Sequence, residues 1–505
     1  MLLLSQTEIL KNQVTIPLIF REYSAPRLLG WIFCSFFLVH CASSIPDEAL
    51  IFQRLSPHLP ADFHHTILVG TYKVFENPTI GKGRTIPLHI EVIPAIHRED
   101  LQPPLFLIDG GPGLGVSSWT YFYSEQDSLY HLNRDLVFVD ARGTGQSQAL
   151  HCLKMQTTTR VEELFSTIYT EENIAHCLAS YQDTIDFSQY NTANIVHDLE
   201  AVRSWLGYEK INLLGTSYGG KVALHYLQQY PESLERVVLH APADPRINHH
   251  YRSGLSAHHA LNNLFADCEA DSLCQANYPN LQVEFQALQE RFAVGPLSVS
   301  FGDIEGDSIQ IGWEAIATKI DELLYADYDY IRIPKLIHEA FLGNYFPLLQ
   351  AFNFEPGQPN LFFAKGTYLS TICAEEIGLP ITVPDTLIGF LREIHYQRRK
   401  VACQMWPVEQ INVSKEAIAE TNIPVLLFSG RLDPVCPPET GARICAELGN
   451  CQQITLPYMG HILGDLSDLA CYDQYLIAFL EGREQSRDKA CFQRMYPLPF
   501  ETNTE

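Results

Sequence analysis

Charge is scarce in this sequence, and positive charge is scarcer still. Only 18% of the 505 residues are charged, with 34 lysines and arginines against 59 aspartates and glutamates, a formal net charge of −25. A nucleic-acid backbone would be repelled by that field, which argues against nucleic acid as a partner. The acidity serves solubility, with attraction for cationic substrates as the lesser reading. Long hydrophobic runs are also missing. The longest, Leu28–Val39, has twelve mostly apolar residues, too few to span a bilayer comfortably and about right for the apolar part of an export signal. No C-x-x-C pair occurs, which leaves little room for a structural zinc site. No internal repeat, low-complexity tract or charge block is present. What remains is a chain 46% hydrophobic, long enough for one large α/β core with an inserted second domain.

The N-terminus reads as an address. Arg21 and Arg27 precede the apolar run, and "LVHC", Leu38–Cys41, follows. That tetrapeptide resembles a bacterial lipoprotein signal, with His40 where a small residue is usual. The expectation is a signal peptide or membrane anchor over residues 1–41. The protein would be exported: periplasmic, membrane-attached through this segment or a lipidated Cys41, or secreted. Thirteen cysteines suit an oxidising compartment. Proximity along the chain suggests Cys152–Cys177, Cys268–Cys274, Cys373–Cys403 and Cys471–Cys491. The trio Cys436, Cys445 and Cys451 would give one bridge and one free thiol.

Two strand-like runs, "HTILVGTYKVF" from His65 and "TIPLHIEVIPA" from Thr85, suggest an antiparallel hairpin near a sheet edge. Four short apolar runs of the buried parallel kind follow: "PLFLID", "DLVFVD", "INLLG" and "RVVLHAP". Between two of them, Ile195, Val196, Leu199, Val202, Trp205 and Leu206 fall on one helical face, with Gly207 as C-cap. Strands alternating with helices predict a mostly parallel α/β sheet. The alternation breaks from about Pro245, where amphipathic helical stretches take over. It resumes with "IPVLLFSG" and "CQQITLPYMG". The expected organisation is a core over 42–244, a mainly helical cap over 245–417 and the rest of the core over 418–505.

Gly215-Thr216-Ser217-Tyr218-Gly219 is a G-x-S-x-G motif set between a strand and an amphipathic helix. Such a turn lifts the serine hydroxyl above the sheet. A plain glycine turn with an idle serine is the alternative. An activated serine needs a histidine, and the histidine an acid to orient it. Asp433 follows the first of the late strands and His461 the second, both at strand C-terminal ends, where open α/β sheets bind ligands. Asp465 is the second choice of acid; His338 and His395 are weaker choices of base, since both lie in the expected cap. Taken singly, Asp433 reads equally well as a turn residue and His461 as a loop residue. "DGGPG", Asp109–Gly113, offers backbone donors for an oxyanion, assigned to Gly111 and Tyr218. "DARGTGQS", Asp140–Ser147, reads as a shaping loop with Arg142 held by hydrogen bonds.

Together these segments resemble the prolyl aminopeptidase (proline iminopeptidase) family of α/β-hydrolase serine peptidases, and its exported tripeptidyl-aminopeptidase-like branch. The resemblance rests on "GGPG", "DARGTGQS", "GTSYGG", "GRLDPVCPP", the "GH" of His461 and the closing Cys471 and Cys491. It implies Ser217 as nucleophile, Asp433 as acid and His461 as base, with no metal or organic cofactor. Asp109 stands where many members carry histidine, and Cys436 where threonine is more usual. An aminopeptidase must also hold a free ammonium. "GTYLSTICAEE", Gly366–Glu376, resembles a family stretch near the site, which makes Glu375 and Glu376 the candidates. The expected function is removal of N-terminal proline or short peptides through an acyl-enzyme. The alternative is an esterase or lactonase on the same triad, because acyl transfer to water passes through the same intermediate.

Overall fold

The computed structural model describes residues 54–58, 66–124, 129–182, 184–300, 308–352, 354–381, 389–411, 418–464, 466–483 and 489–502. The expected signal segment with Cys41, and Asp465, lie outside them. Among the described residues no helix is long and apolar enough to cross a membrane.

The early strands are β1 (Ser56–His58), β2 (Ile67–Phe75), β3 (Thr85–Ile93), β4 (Leu105–Ile108) and β5 (Leu136–Val139). After them come β6 (Ile211–Thr216), β7 (Leu234–His240), β8 (Leu297–Ser300), β9 (Ser308–Ile311), β10 (Thr421–Gly430) and β11 (Gly449–Leu456). All but β8 and β9 form one sheet in the order β1-β2-β3-β5-β4-β6-β7-β10-β11. The β2–β3 hairpin is antiparallel, as its alternating pattern suggests. From β5 to β11 every neighbouring pair is parallel. This is the α/β-hydrolase fold.

The apolar runs are continuous because the central strands are covered on both faces. Phe106, Val137, Leu213, Val237 and Leu427 point into one hydrophobic cluster. Their chain neighbours Leu105, Leu107, Leu136, Phe138, Leu214, Val238, Leu426 and Phe428 point into the other. Each such side chain, fully buried, contributes about 1.5–3 kcal/mol. The helix Thr192–Leu206 closes one face. The Asn191 side chain caps its first turn by accepting from the Asn194 N–H, and Gly207, at φ 87°, ends it. Ile195, Val196, Leu199, Val202 and Leu206 are buried as the periodicity predicts.

The inserted segment has a core of its own. The helices His249–Ala270, Leu281–Ala293, Trp313–Leu323 and Ile333–Phe341 pack through Leu261, Leu264, Phe285, Leu288, Ile316, Ile320 and Ile337. Two features go beyond the expected picture of helices and loops. "LSVS" and "SIQI" pair as the antiparallel ribbon β8–β9, four residues each, in which serine or glutamine breaks up the continuous apolar run that marks the equally short β4 and β5. The helix Lys365–Glu375 and the end of the helix Ile394–Met405 pack into the cluster of the sheet, through Tyr368, Leu369, Ile372, Ala402 and Trp406. The helix Lys365–Glu375 and the end of the helix Ile394–Met405 therefore belong to the core of the sheet, while Phe390, Leu391 and Ile394 pack in that of the insertion.

The disulfides among the described residues are Cys152–Cys177, Cys268–Cys274, Cys373–Cys403, Cys445–Cys451 and Cys471–Cys491, with Cys436 free and buried. The first two, the third and the last are the pairs that proximity suggests; the trio resolves as one bridge and one thiol.

Candidate active site

β6 ends at Thr216, and the helix Tyr218–Gln229 begins one residue later. Ser217 makes the turn alone, at φ 55° and ψ −117°, a conformation that costs a residue with a side chain about 1–3 kcal/mol. Three backbone hydrogen bonds hold it there. The Ser217 N–H donates to the His240 carbonyl at 2.9 Å, and the Ser217 carbonyl accepts from Gly220 at 3.0 Å and Ala243 at 2.9 Å. The flanking glycines are steric requirements. A Cβ on Gly215 would lie 2.4 Å from the Gly219 carbonyl oxygen, and one on Gly219 would lie 2.2 Å from that of Ile108.

The hydroxyl so presented meets a histidine. His461 Nε2 lies 2.9 Å from Ser217 Oγ, and His461 Nδ1 lies 2.9 Å from Asp433 Oδ2. An ionised carboxylate only accepts, so Nδ1 carries the proton and Nε2 is free to accept the serine hydroxyl. Asp433 is buried; its other oxygen accepts from the N–H groups of Val435 at 2.7 Å and Cys436 at 2.8 Å. The carboxylate is thus oriented from both sides. This array can take a proton from Ser217 and return it to a leaving group.

The glycine loop lies against the same serine. A Cβ on Gly110 would stand 3.0 Å from Ser217 Cβ. Gly111 has φ 111° and is exposed, while Tyr218 supplies the first N–H of the helix after the nucleophile candidate. Asp109 accepts from Gly110 N–H and from the Trp119 indole N–H, each at 2.6 Å. Burial pushes its carboxyl up, against those two bonds. Arg142 is fully buried and bonded to Asp198 by Nε and Nη2, both at 2.7 Å, and to the Glu76 carbonyl by Nη1 at 2.6 Å. His338 is engaged with Glu284 and His395 with Asp321.

The two neighbouring glutamates have different surroundings. Glu375 is buried; its oxygens accept from Thr192 N–H and Oγ1, each at 2.6 Å, and from Lys221 Nζ at 2.8 Å. Glu376 caps the C-terminal end of the same helix. Its Oε1 accepts from His249 N–H at 2.9 Å and His250 N–H at 3.3 Å, while Oε2 has no hydrogen-bond partner among the described residues. Burial pushes the Glu376 carboxyl up, but His250, His249, Lys221 and the His249 N–H together hold it below the ordinary range.

Two residues at the site carry no motif. The Tyr325 carbonyl accepts from the N–H groups of His461 at 2.7 Å and Ile462 at 3.0 Å, and its ring meets the His461 imidazole edge-on at 5.4 Å. His240 sits behind Ser217 with Nδ1 on the Tyr472 hydroxyl at 3.2 Å; burial, aided by His461, lowers its pKa to about 4. The only signal for His240 was its place at the end of a parallel strand. Tyr325 gave none.

Residues 103–276 match the family described as alpha/beta hydrolase fold, and residues 393–491 the family described as TAP-like protein. Serine protease Hip1 of Mycobacterium tuberculosis (strain ATCC 25618 / H37Rv) is 26% identical over 185 residues, which are 34% of this chain and 36% of that protein. The chain thus spans about a third of the length of that relative. A proline iminopeptidase of Lactobacillus helveticus is 28% identical over 139 residues, 27% of this chain and 35% of its own. The protein YuaR of Escherichia coli (strain K12) is 21% identical over 409 residues, 77% of this chain and 79% of its own.

Proposed function

We propose that this chain, which matches the alpha/beta hydrolase fold family over residues 103–276 and the TAP-like protein family over residues 393–491, is an exported serine aminopeptidase releasing N-terminal proline or short peptides through an acyl-enzyme. The observation that carries the reading is the continuous hydrogen-bonded chain Ser217–His461–Asp433. Ser217 Oγ attacks the scissile carbonyl as its proton passes to His461 Nε2. The N–H groups of Gly111 and Tyr218 receive the developing oxyanion. The imidazolium then protonates the leaving amine, and a water, deprotonated by His461, releases the acyl group. Asp433 keeps the imidazole in the tautomer this sequence needs.

Glu376 is the carboxylate assigned to the substrate ammonium, because Oε2 is unengaged and the group is held ionised. Glu375 is committed to Lys221 and Thr192 and acts as their anchor. The five disulfides among the described residues support an oxidising compartment, with residues 1–41 as signal or anchor.

The test compares a prolyl amide and a tripeptidyl amide with their N-acetylated forms. A hydrogen bond to a charged group is worth about 1.5–3 kcal/mol, so acetylation and Glu376→Gln should each lower kcat/KM for the amides by roughly 10- to 100-fold. Serine-dependent cleavage of a short-chain ester with both amides untouched would replace the peptidase reading with an esterase.

A further inference from the structure

Two cations stand beside this site without a carboxylate. Lys365 opens the helix Lys365–Glu375, with Nζ 4.3 Å from the centre of the Phe363 ring and 5.6 Å from that of Tyr368. Arg399, on the helix Ile394–Met405, lies with its guanidinium 5.0 Å over the Tyr169 ring. Its Nε donates to the Tyr368 hydroxyl at 3.0 Å and its Nη1 to His395 Nδ1 at 2.9 Å. Nη2 has no hydrogen-bond partner, and neither cation has a carboxylate within salt-bridge distance, among the described residues. Elsewhere in the chain several sheltered arginines are paired with acids, Arg98 with Asp135, Arg142 with Asp198 and Arg246 with Asp244, while Arg291 instead donates to the Ala340 and Phe341 carbonyls. What sets Lys365 and Arg399 apart is that both act on the same tyrosine pair beside the glycine loop. Acidic residues outnumber basic ones 59 to 34, so two sheltered cations without an acid are not a matter of supply. Leaving a half-buried charge unpaired is costly, which favours a partner that arrives from outside.

Their position points to the substrate. The Ala364 N–H donates to the Gly113 carbonyl at 2.9 Å, and Phe363 bridges to Leu114, so the segment leading into Lys365 abuts the glycine loop. On the other side, Tyr325 packs on His461, and its hydroxyl lies within the field of Arg399. The two helices carrying the cations are joined by Cys373–Cys403. Both charges also act on one hydroxyl. Burial pushes the Tyr169 phenol up, and Lys365 and Arg399 overcome it and hold the phenol below its ordinary value.

We propose that Lys365 and Arg399, set in place by the rings of Tyr169 and Tyr368, form a subsite for a carboxylate carried by the substrate. The carboxylate is an acidic side chain near the substrate's N-terminus or the C-terminal carboxylate of a short peptide. An arginine edge and an ammonium offer convergent donors to a planar anion, while the Tyr368 hydroxyl, shared by Arg399 Nε at 3.0 Å and His250 Nε2 at 3.2 Å, holds the guanidinium in place. The subsite deepens the aminopeptidase reading and rests on it for the identity of the substrate.

Two substrate pairs test it: tripeptidyl anilides with glutamate or glutamine first, and free tripeptides against their C-terminal amides. The wild type should prefer the acid member of at least one pair by ten-fold or more in kcat/KM. Lys365→Gln and Arg399→Gln should each bring that ratio close to one. The ratio is taken within each variant, so a merely damaged fold lowers both rates and leaves it unchanged. The pair that shows the preference identifies the source of the carboxylate. Equal rates in both pairs, or a preference that survives both substitutions, would overturn the subsite. A second readout needs no peptide cleavage: succinate should slow fluorophosphonate labelling of Ser217 in the wild type and not in the variants. If no peptide is cleaved while this protection appears and is lost in both variants, the aminopeptidase reading fails and the carboxylate subsite stands. If succinate gives no protection and neither pair shows a preference, the subsite falls.

Discussion

Ser217→Ala is expected to lower kcat/KM on any substrate of this protein by roughly 10⁵- to 10⁶-fold, the loss typical when one member of a cooperating serine triad is removed. Melting temperature should barely change, because among the described residues the hydroxyl makes only the bond to His461. The backbone gives a second, independent prediction. At φ 55° and ψ −117° alanine remains as strained as serine, whereas glycine adopts this region freely. Ser217→Gly should therefore be as inactive as the alanine variant and melt higher than it. Turnover and calorimetry on the two variants check both statements. Retained turnover in Ser217→Ala would remove Ser217 from the chemistry altogether.

The largest stability effect is expected at Arg142. Its guanidinium is fully buried, with two hydrogen bonds to Asp198 and others to the carbonyls of Glu76, Gln189 and Phe75. Arg142→Met leaves a buried carboxylate and a carbonyl without donors, which should cost about 3–5 kcal/mol. Adding Asp198→Leu should recover part of that loss. It cannot recover all of it, since the Glu76 carbonyl stays unsatisfied. Denaturant unfolding of the single and double variants measures the difference. A single variant within 1 kcal/mol of wild type, on the order of a surface change, would mean that the pair is dispensable.

The strands β2 to β7, β10 and β11, and the turn that carries Ser217, were legible because their signals are local. A buried parallel strand is a short apolar run, and the turn around Ser217 needs glycine at fixed offsets. Asp433 and His461 could be chosen because chain order ties them to two particular strands. The choice between Glu375 and Glu376 could not be made in this way. Neighbours at a helix end point about 100° apart, and which one meets Lys221 depends on how the helix seats on the core. Lys365, Arg399 and Tyr325 were invisible for a related reason. Each is unremarkable in its own stretch and gains meaning only where distant segments converge. "RRK", Arg398–Lys400, was a faint clue, a basic run in an acidic chain. The β8–β9 ribbon was lost because "LSVS" and "SIQI" alternate two apolar with two polar residues and so lack the continuous apolar run that marks β4 and β5.

Tyr325 belongs to the inserted segment, yet its carbonyl fastens the backbone at His461, and a Cβ on Gly460 would stand 2.4 Å from that same oxygen. The insertion is therefore part of the frame that aims the imidazole. Protein engineers who graft a foreign lid onto this scaffold to change its selectivity would detach the histidine's support along with the old lid. Natural variants that diversify the lid should do so around a preserved stub near Tyr325, and a chimera should keep that stub, with Gly460 opposite it, before anything else is exchanged.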